Sequence, residues 1–299
     1  MDILSPLISR FNLSASVFYS GVLCQSTSFD PKPGLGYLHV LREGVVSVAA
    51  PDGTSQEIVE PSLLFYPRPC AHRFDFGIKS EAKLVCALID FGVGEGNPVI
   101  AALPDALLIR LSDMPEVDPL LSLLFAEAFA ESAGRQPAID RLMEYFLILV
   151  FRHVIETKLV GESILAGLAD PRLRKALSAI HERPEFEWTI EELAKESGMS
   201  RARFAAHFRE TTGTTPLDYL TEWRIGLAQT MLKKGKPLKL IAPAVGYSSA
   251  IGLSRAFVRL MGMSPGEWLQ RLRLLITFKE SKRILQHFRC FAIFEESRN

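Results

Sequence analysis

At 299 residues and 48% hydrophobic content, the chain is long enough to bury two cores of ordinary domain size. Its four cysteines are too few for a disulfide scaffold, and its longest strongly apolar run, residues 145–151, falls far short of the roughly 20 residues that cross a bilayer. The 34 basic and 34 acidic residues cancel over the whole chain but not within it: residues 171–275 hold 17 Lys and Arg against 10 Asp and Glu, whereas residues 1–170 hold 12 against 21. A basic segment suits a phosphate partner, because phosphate contacts release counterions and supply most non-specific affinity. The opening Met1-Asp2-Ile3-Leu4-Ser5-Pro6 lacks the basic and apolar regions of a signal peptide, so a cytoplasmic protein without membrane contact is expected.

From the amino terminus, residues 35–91 read as short strands with turn punctuation: 35–41, 45–50, a turn at Pro51-Asp52-Gly53, then 56–59, 63–66 and 82–91. This pattern predicts a small antiparallel barrel. Two helices follow, at about 119–132 and 138–159, the second with Leu142, Phe146, Leu149, Val150 and Val154 in one apolar stripe. The expected fold class is α+β, with the barrel and two helices in residues 1–160, a linker at 161–170 and an all-α domain at 171–275. Residues 276–299 mix apolar and basic side chains, which fits an added amphipathic helix or disorder equally.

Residues 189–268 write one short grammar twice. In the first copy Ile190, Leu193 and Ala194 share a helical face, Gly198 makes a turn, Ser200 can cap the next helix, and Phe204 and Phe208 bury its inner face. In the second copy Leu240, Ile241 and Ala242 lead to Gly246, Ser249 takes the cap position, and Leu253 and Phe257 form the buried pair. Alanine four residues before glycine lets two helices cross closely, glycine permits the positive φ of a tight turn, and serine accepts a hydrogen bond from an orphan helix N–H. Between the copies, Thr215 and Pro216 start a helical spacer that stops at Gly235. A spacer of about 20 residues is about 30 Å long at 1.5 Å per residue, close to the roughly 34 Å between successive major-groove faces. The pattern predicts a duplicated helix-turn-helix reader of double-stranded promoter DNA.

With Phe204 and Phe208 pointed inward, 100° per residue places Ala202, Ala205, Ala206 and Arg209 on the opposite face, with Arg201 and Arg203 on its flanks. Small alanines let a helix sit deep and touch thymine methyl groups while arginines hold phosphate or reach guanine. The same projection exposes Ile251, Ser254, Arg255 and Val258 in the second copy, with Arg255 the foremost candidate for a base contact. Ser200 and Ser249 complete the expected DNA-facing set. A solvated helix face is the plainer reading of any one arginine.

Gly246-Tyr247-Ser248-Ser249, then Leu253-Ser254-Arg255-Ala256-Phe257, then Gly262-Met263-Ser264-Pro265 resemble the signature of the AraC/XylS family of bacterial transcription regulators. Leu253 and Met261 stand where that family usually has phenylalanine. Pro243 lies inside the first helix of the second copy, where a lost hydrogen bond can cost about 3 kcal/mol, so a kinked or loosely held second motif is expected. The stretch from His39 to Gly44, the strand ending Pro67-Arg68-Pro69, Ala71-His72, Leu84-Val85-Cys86 and Asn97-Pro98 resemble the cupin-type sensor domain often fused to such readers. The resemblance implies regulation by a small-molecule effector or an oxidant, RNA polymerase as a further partner, and a homodimer formed through the two helices, although core packing within one chain explains their apolar faces as well.

Metal-binding cupins carry paired histidines, a glutamate and a distant histidine. Only His39, Glu43 and His72 are available here, with Tyr37 where a partner histidine would stand, so neither metal nor cofactor is expected. No Ser-His-Asp grouping, phosphate-binding glycine loop or carboxylate pair favours an enzyme; a metal-dependent cupin enzyme with a DNA-binding appendage is the alternative. Cys24, Cys70 and Cys86 fall in the barrel and Cys290 in the tail. A buried cysteine is most often a small hydrophobe. As sensing residues the candidates are Cys24, Cys70, His72 and Cys86. Some related regulators respond through thiols, and Cys24 with Cys86 is the pairing to test first. Arg68 and Arg73 flank Cys70 and are expected to lower its pKa, a rival site of reactivity.

Overall fold

A computed structural model describes residues 4–50, 53–77, 80–92 and 97–273. The first helix, α1 (Ser5–Phe11), precedes nine strands: β1 (Ser14–Leu23), β2 (Thr27–Phe29), β3 (Leu35–Gly44), β4 (Val46–Ala49), β5 (Ser55–Ile58), β6 (Ser62–Tyr66), β7 (His72–Asp75), β8 (Ala82–Asp90) and, after the short α2 (Pro98–Ala101), β9 (Leu107–Arg110). They form two antiparallel sheets, one ordered β1-β8-β3-β6-β9 and the other β2-β7-β4-β5. The expected small antiparallel barrel takes the form of these two sheets. β6 is buried throughout and β3 and β8 nearly so, which makes them read as unbroken apolar runs. Alternate residues separate two cores. Tyr37, Leu41, Leu64, Tyr66, Leu84 and Cys86 meet Phe29, Val48 and Phe74 between the sheets, while Leu38, Val40, Leu63, Phe65, Val85 and Ala87 face the other way.

That second face is covered by α3 (Asp118–Phe129) and α4 (Arg135–Thr157). Phe146, Leu149, Val150 and Val154 of α4 are buried there, and Leu142 packs at the margin. Asp140 accepts a 2.7 Å hydrogen bond from the backbone N–H of Val17, fixing α4 along β1.

The segment expected to be a linker is instead a helix, α5 (Ile164–Ala169), with Leu165 and Leu168 fully buried. Ser163 caps it by accepting a hydrogen bond from Ala166 N at 3.2 Å. A Cβ on Gly167 would approach Thr212 to 2.8 Å and Leu177 to 3.0 Å, so only glycine lets α5 lie so close to its neighbours. The helical domain continues with α6 (Leu173–Glu182), α7 (Ile190–Glu196), α8 (Arg201–Thr212), α9 (Pro216–Lys233), α10 (Leu238–Ala244) and α11 (Ala250–Met261), and residues 265–273 are helical.

The two halves share one core, which the sequence reading did not anticipate. Phe11 of α1 meets Trp223 of α9 edge-on at 5.1 Å, and Arg10 donates to Glu182 O at 3.1 Å. Lys233 donates to Gly92 O, just past the end of β8. Gly92 has a φ of +80°, and a side chain there would strike the Phe11 carbonyl, so glycine is what lets α1 wedge between sheet and helices. Among the described residues, no helix is long and apolar enough to cross a membrane.

Candidate nucleic-acid interface and sensor core

α7 begins at a reciprocal cap: Thr189 Oγ1 accepts from Glu192 N at 3.2 Å, and Glu192 Oε2 accepts from Thr189 N at 2.8 Å. The chain reverses at Gly198, φ +64°, where Met199 N donates to Ala194 O at 2.9 Å. α8 then starts after Ser200. Ser200 holds the cap position with extended backbone, but its side chain makes no capping bond, contrary to the role expected of it. Phe204 and Phe208 are fully buried with ring centroids 5.7 Å apart.

The second copy repeats the turn. Gly246 has φ +85°, and Tyr247 N donates to Ala242 O at 2.8 Å, the same five-residue bond. Ser249 does cap α11, accepting from Gly252 N at 3.1 Å, and Leu253 and Phe257 are fully buried. Pro243 stands one residue before the end of α10, so its missing N–H costs a bond only where that helix is already ending. The turn beyond it matches the first copy's. Between the motifs, Thr215 caps α9 by accepting from Asp218 N at 3.2 Å, and its 18 residues make a rod of about 27 Å.

The outward faces follow the helical projection. Arg201, Ala202, Arg203, Ala206 and Arg209 are exposed on α8 and Ala205 is half-buried; Ile251, Arg255 and Val258 are exposed on α11 and Ser254 is half-buried. Arg201 is already engaged by Glu191 at 2.8 Å. Arg224 is turned inward, donating at 2.7 Å to both Pro184 O and Phe186 O. Among the described residues, the guanidinium groups of Arg203, Arg209 and Arg255 have neither ion pair nor hydrogen bond. Arg259, exposed beside Arg255 on α11, is likewise without an ion pair or hydrogen bond among the described residues, so these four are cations left unspent on the two recognition helices.

Between the two sheets lies a chain of polar groups in an aromatic cage. Cys86 Sγ is 3.0 Å from His39 Nδ1, His39 Nε2 is 2.8 Å from His72 Nε2, and His72 Nδ1 is 3.1 Å from the Cys70 carbonyl. A carbonyl only accepts, so His72 Nδ1 carries a proton. Burial holds His72 down to about 4 and His39 well below the usual histidine range, so both rings are neutral near pH 7. His72 Nε2 must then accept from His39 Nε2, and His39 Nδ1 must accept from the thiol. One acceptor at the end orients every proton, and Cys86 is fixed as S–H. Its pKa is raised by the same burial. Phe29 and Tyr66 stack on the two sides of His72, with centroids at 4.8 and 4.3 Å.

Residues 2–156 match a cupin family and residues 193–271 a helix-turn-helix domain family. A putative AraC-like transcription regulator of Streptomyces antibioticus is 40% identical over 297 residues, covering 89% of this chain and 96% of the relative. The chain belongs to the AraC-like transcription regulators. The RCS-specific activator RclR of Escherichia coli K12 is 30% identical, covering 79% of this chain and 85% of its own. Among solved structures, ToxT of Vibrio cholerae O395 aligns over 86% of this chain and 96% of its own at 16% identity and a TM-score of 0.38. The family makes this chain a DNA-binding transcription regulator with an amino-terminal cupin domain.

Within this AraC-like regulator, two expectations about the sensor core change, both concerning its cysteines. Cys24 and Cys86 are not a bonded pair: Cys86 is buried opposite Tyr19 in the β1–β8 register, whereas exposed Cys24 lies five residues further on, about 16 Å along an extended strand. A disulfide needs Cα atoms within about 7 Å. Cys70 is not acidified by arginine: burial and then Asp105 raise its pKa. Arg68 is held by Asp105 at 2.7 Å and Arg73 by Asp75 at 2.8 Å, so both charges are already neutralised. Nor do His39, Glu43 and His72 converge, since Glu43 is exposed and 3.9 Å from Lys83 while the histidines bond each other. The link from His39 to Cys86 was missed because nothing along the chain marks them; they face each other only through the β3–β8 register. Cys290 and the 276–299 extension lie outside the described residues.

Proposed function

We propose that this AraC-like regulator reads promoter DNA by placing α8 and α11 in two major grooves, with Arg255 at a base edge and Arg209 on phosphate. The observation that carries this reading is the set of unpartnered guanidinium groups of Arg203, Arg209 and Arg255 on outward faces of helices whose inner faces are fully buried. Arg201, Ala202, Ala205, Ala206, Ser200, Ser249, Ile251 and Ser254 surround them. The protein acts in the cytoplasm with RNA polymerase as a second partner. Leu123, Phe129 and Tyr145 of α3 and α4 stay exposed, a face that a second copy would cover in a homodimer.

Control comes from a small molecule or oxidant at the amino-terminal core, where Cys24, Cys70, His72 and Cys86 are the candidate sensing residues. Support for coupling lies in β8, which carries Cys86 and runs directly into Phe91 and Gly92 against α1 and Lys233. In a salt-controlled titration, Arg255→Ala is expected to weaken specific binding by about 1–3 kcal/mol and relax one base preference, and Arg209→Ala to weaken all sequences alike and lower the salt slope by about one unit. Unchanged affinity and preference in Arg255→Ala would remove α11 from the groove.

A further inference from the structure

The two recognition helices carry different chemistry on their outward faces. α8 offers alanines and arginines. On one face α11 offers two large aliphatic side chains to solvent, Ile251 at 66% and Val258 at 45% exposure, with Arg255 between them; its third exposed aliphatic, Leu260, projects from the opposite side of the helix. Ala250, Ile251, Ser254, Arg255, Val258 and Arg259 line one shared surface concavity. Ile251 lies four residues before Arg255 and Val258 three after it, so all three share one face of the helix.

Exposed aliphatic groups grouped around a free arginine, on the helix that a DNA reader inserts, need an apolar partner inside a polar groove. In the major groove the apolar feature is the C5 methyl of thymine, and the feature that takes a guanidinium in a bidentate bond is the O6/N7 edge of guanine. Ile251 to Val258 spans about 10.5 Å along the helix axis, about three base steps at 3.4 Å each. We infer that α11 reads a guanine flanked by thymine methyl groups, met by Ile251 on one side and Val258 on the other within about four base pairs, and that these two residues set its specificity. This rests on the DNA-reading function proposed above.

The α8 face supplies the contrast. Ala202 and Ala206 present one methyl each, so thymine methyls opposite α8 gain much less contact.

The test uses the full chain and duplexes obtained by in vitro selection against it. Each thymine of the selected site is replaced by uracil, which removes only the methyl group. Under α11, each of two positions is expected to lose about fourfold in affinity, the value of one buried methyl. In Ile251→Ala the penalty should vanish at one of these positions and persist at the other; Val258→Ala should show the reverse. Both side chains are exposed and alanine favours helix, so both variants keep the fold, checked by thermal melting. An unchanged affinity on uracil substitution under α11, or a penalty that survives in both variants, overturns the inference while leaving DNA reading intact. So does an altered oligomeric state in the variants with the uracil penalty retained, which would make the patch an interface with a second copy. Failure of the wild type to select any sequence overturns the DNA reading itself.

Discussion

The first helix-turn-helix enters through a reciprocal Thr189–Glu192 cap and rests on α5 and α6, whereas the second enters from Pro237 with no side-chain cap and carries Pro243. Yet both turns close with the same backbone bond, from Met199 to Ala194 and from Tyr247 to Ala242. Turn geometry here is set by glycine and by the buried pair beneath it; the flanking caps add stability without shaping the turn. The difference lies in how far each motif is tied to the rest of the molecule.

The buried pairs give the largest expected effect. Phe208 contacts Phe204 and Tyr219 in a core shared with α5 and α9, so Phe208→Ala should cost about 3–5 kcal/mol. Phe257→Ala removes the same ring, but its aromatic neighbour is Trp268 near the end of the described chain. Hydrogen exchange should separate them: Phe208→Ala should accelerate exchange through α5, α8 and α9, and Phe257→Ala mainly in α10 and α11. Equal spread from both would end the claim that the motifs differ in anchorage.

Acid should strike the first motif before the second. His181 lies under Trp223 at 4.0 Å and bonds Tyr219 Oη at 2.6 Å, and burial, reinforced by Arg10, lowers its pKa to about 3. The fold therefore prefers neutral histidine. The unfolded chain binds a proton near pH 6.5, so this stability is complete above about 6.5 and drains away towards pH 3, at up to about 1.4 kcal/mol per pH unit. His72, lowered to about 4, adds the same trend in the sensor core. Residues 208–273 contain no histidine. Denaturant titrations at pH 7 and pH 4.5 should show a smaller loss in His181→Gln than in wild type, and an equal loss would assign the acid sensitivity elsewhere.

What was legible in the sequence tracks these same features. The duplicated frame, both turn glycines and the outward arginines could be read because local sterics decide them, and α3 and α4 because their apolar periodicity persists for several turns. β1, β2, β7 and β9 went unread: β1 buries only two of its ten residues and is Ser-rich, β2 spans three residues, and β7 and β9 span four each. The α1 wedge and the Cys86–His39–His72 chain were invisible because each joins residues far apart in sequence through tertiary register alone.

The turn glycines offer a finer contrast. A Cβ at Gly198 meets nothing within 4 Å, so Gly198→Ala should cost only the left-handed backbone, about 1–2 kcal/mol. At Gly246 a Cβ would come within 2.5 Å of Arg224 Nη2 and 2.8 Å of Pro184 O. Gly246→Ala therefore also displaces the guanidinium that ties Pro184 and Phe186 to α9. Its measured loss of stability should exceed that of Gly198→Ala; if the two are equal, Arg224 is not holding the second turn.

The smallest expected effect concerns the cap that only the first motif has. Thr189 Oγ1 satisfies the N–H of Glu192, one of the four donors a helix start leaves unbonded, while the Glu192 carboxylate satisfies the N–H of Thr189. Thr189→Ala removes the acceptor and should cost about 1 kcal/mol, whereas Thr189→Ser keeps an oxygen at the same place and should restore most of it. Because the turn bond from Met199 to Ala194 lies at the far end of α7, loosening its start should leave sequence preference on DNA unchanged and shift only the midpoint of unfolding. A changed base preference in Thr189→Ala would mean that the cap shapes the turn after all, and the two motifs would then differ in geometry as well as in anchorage.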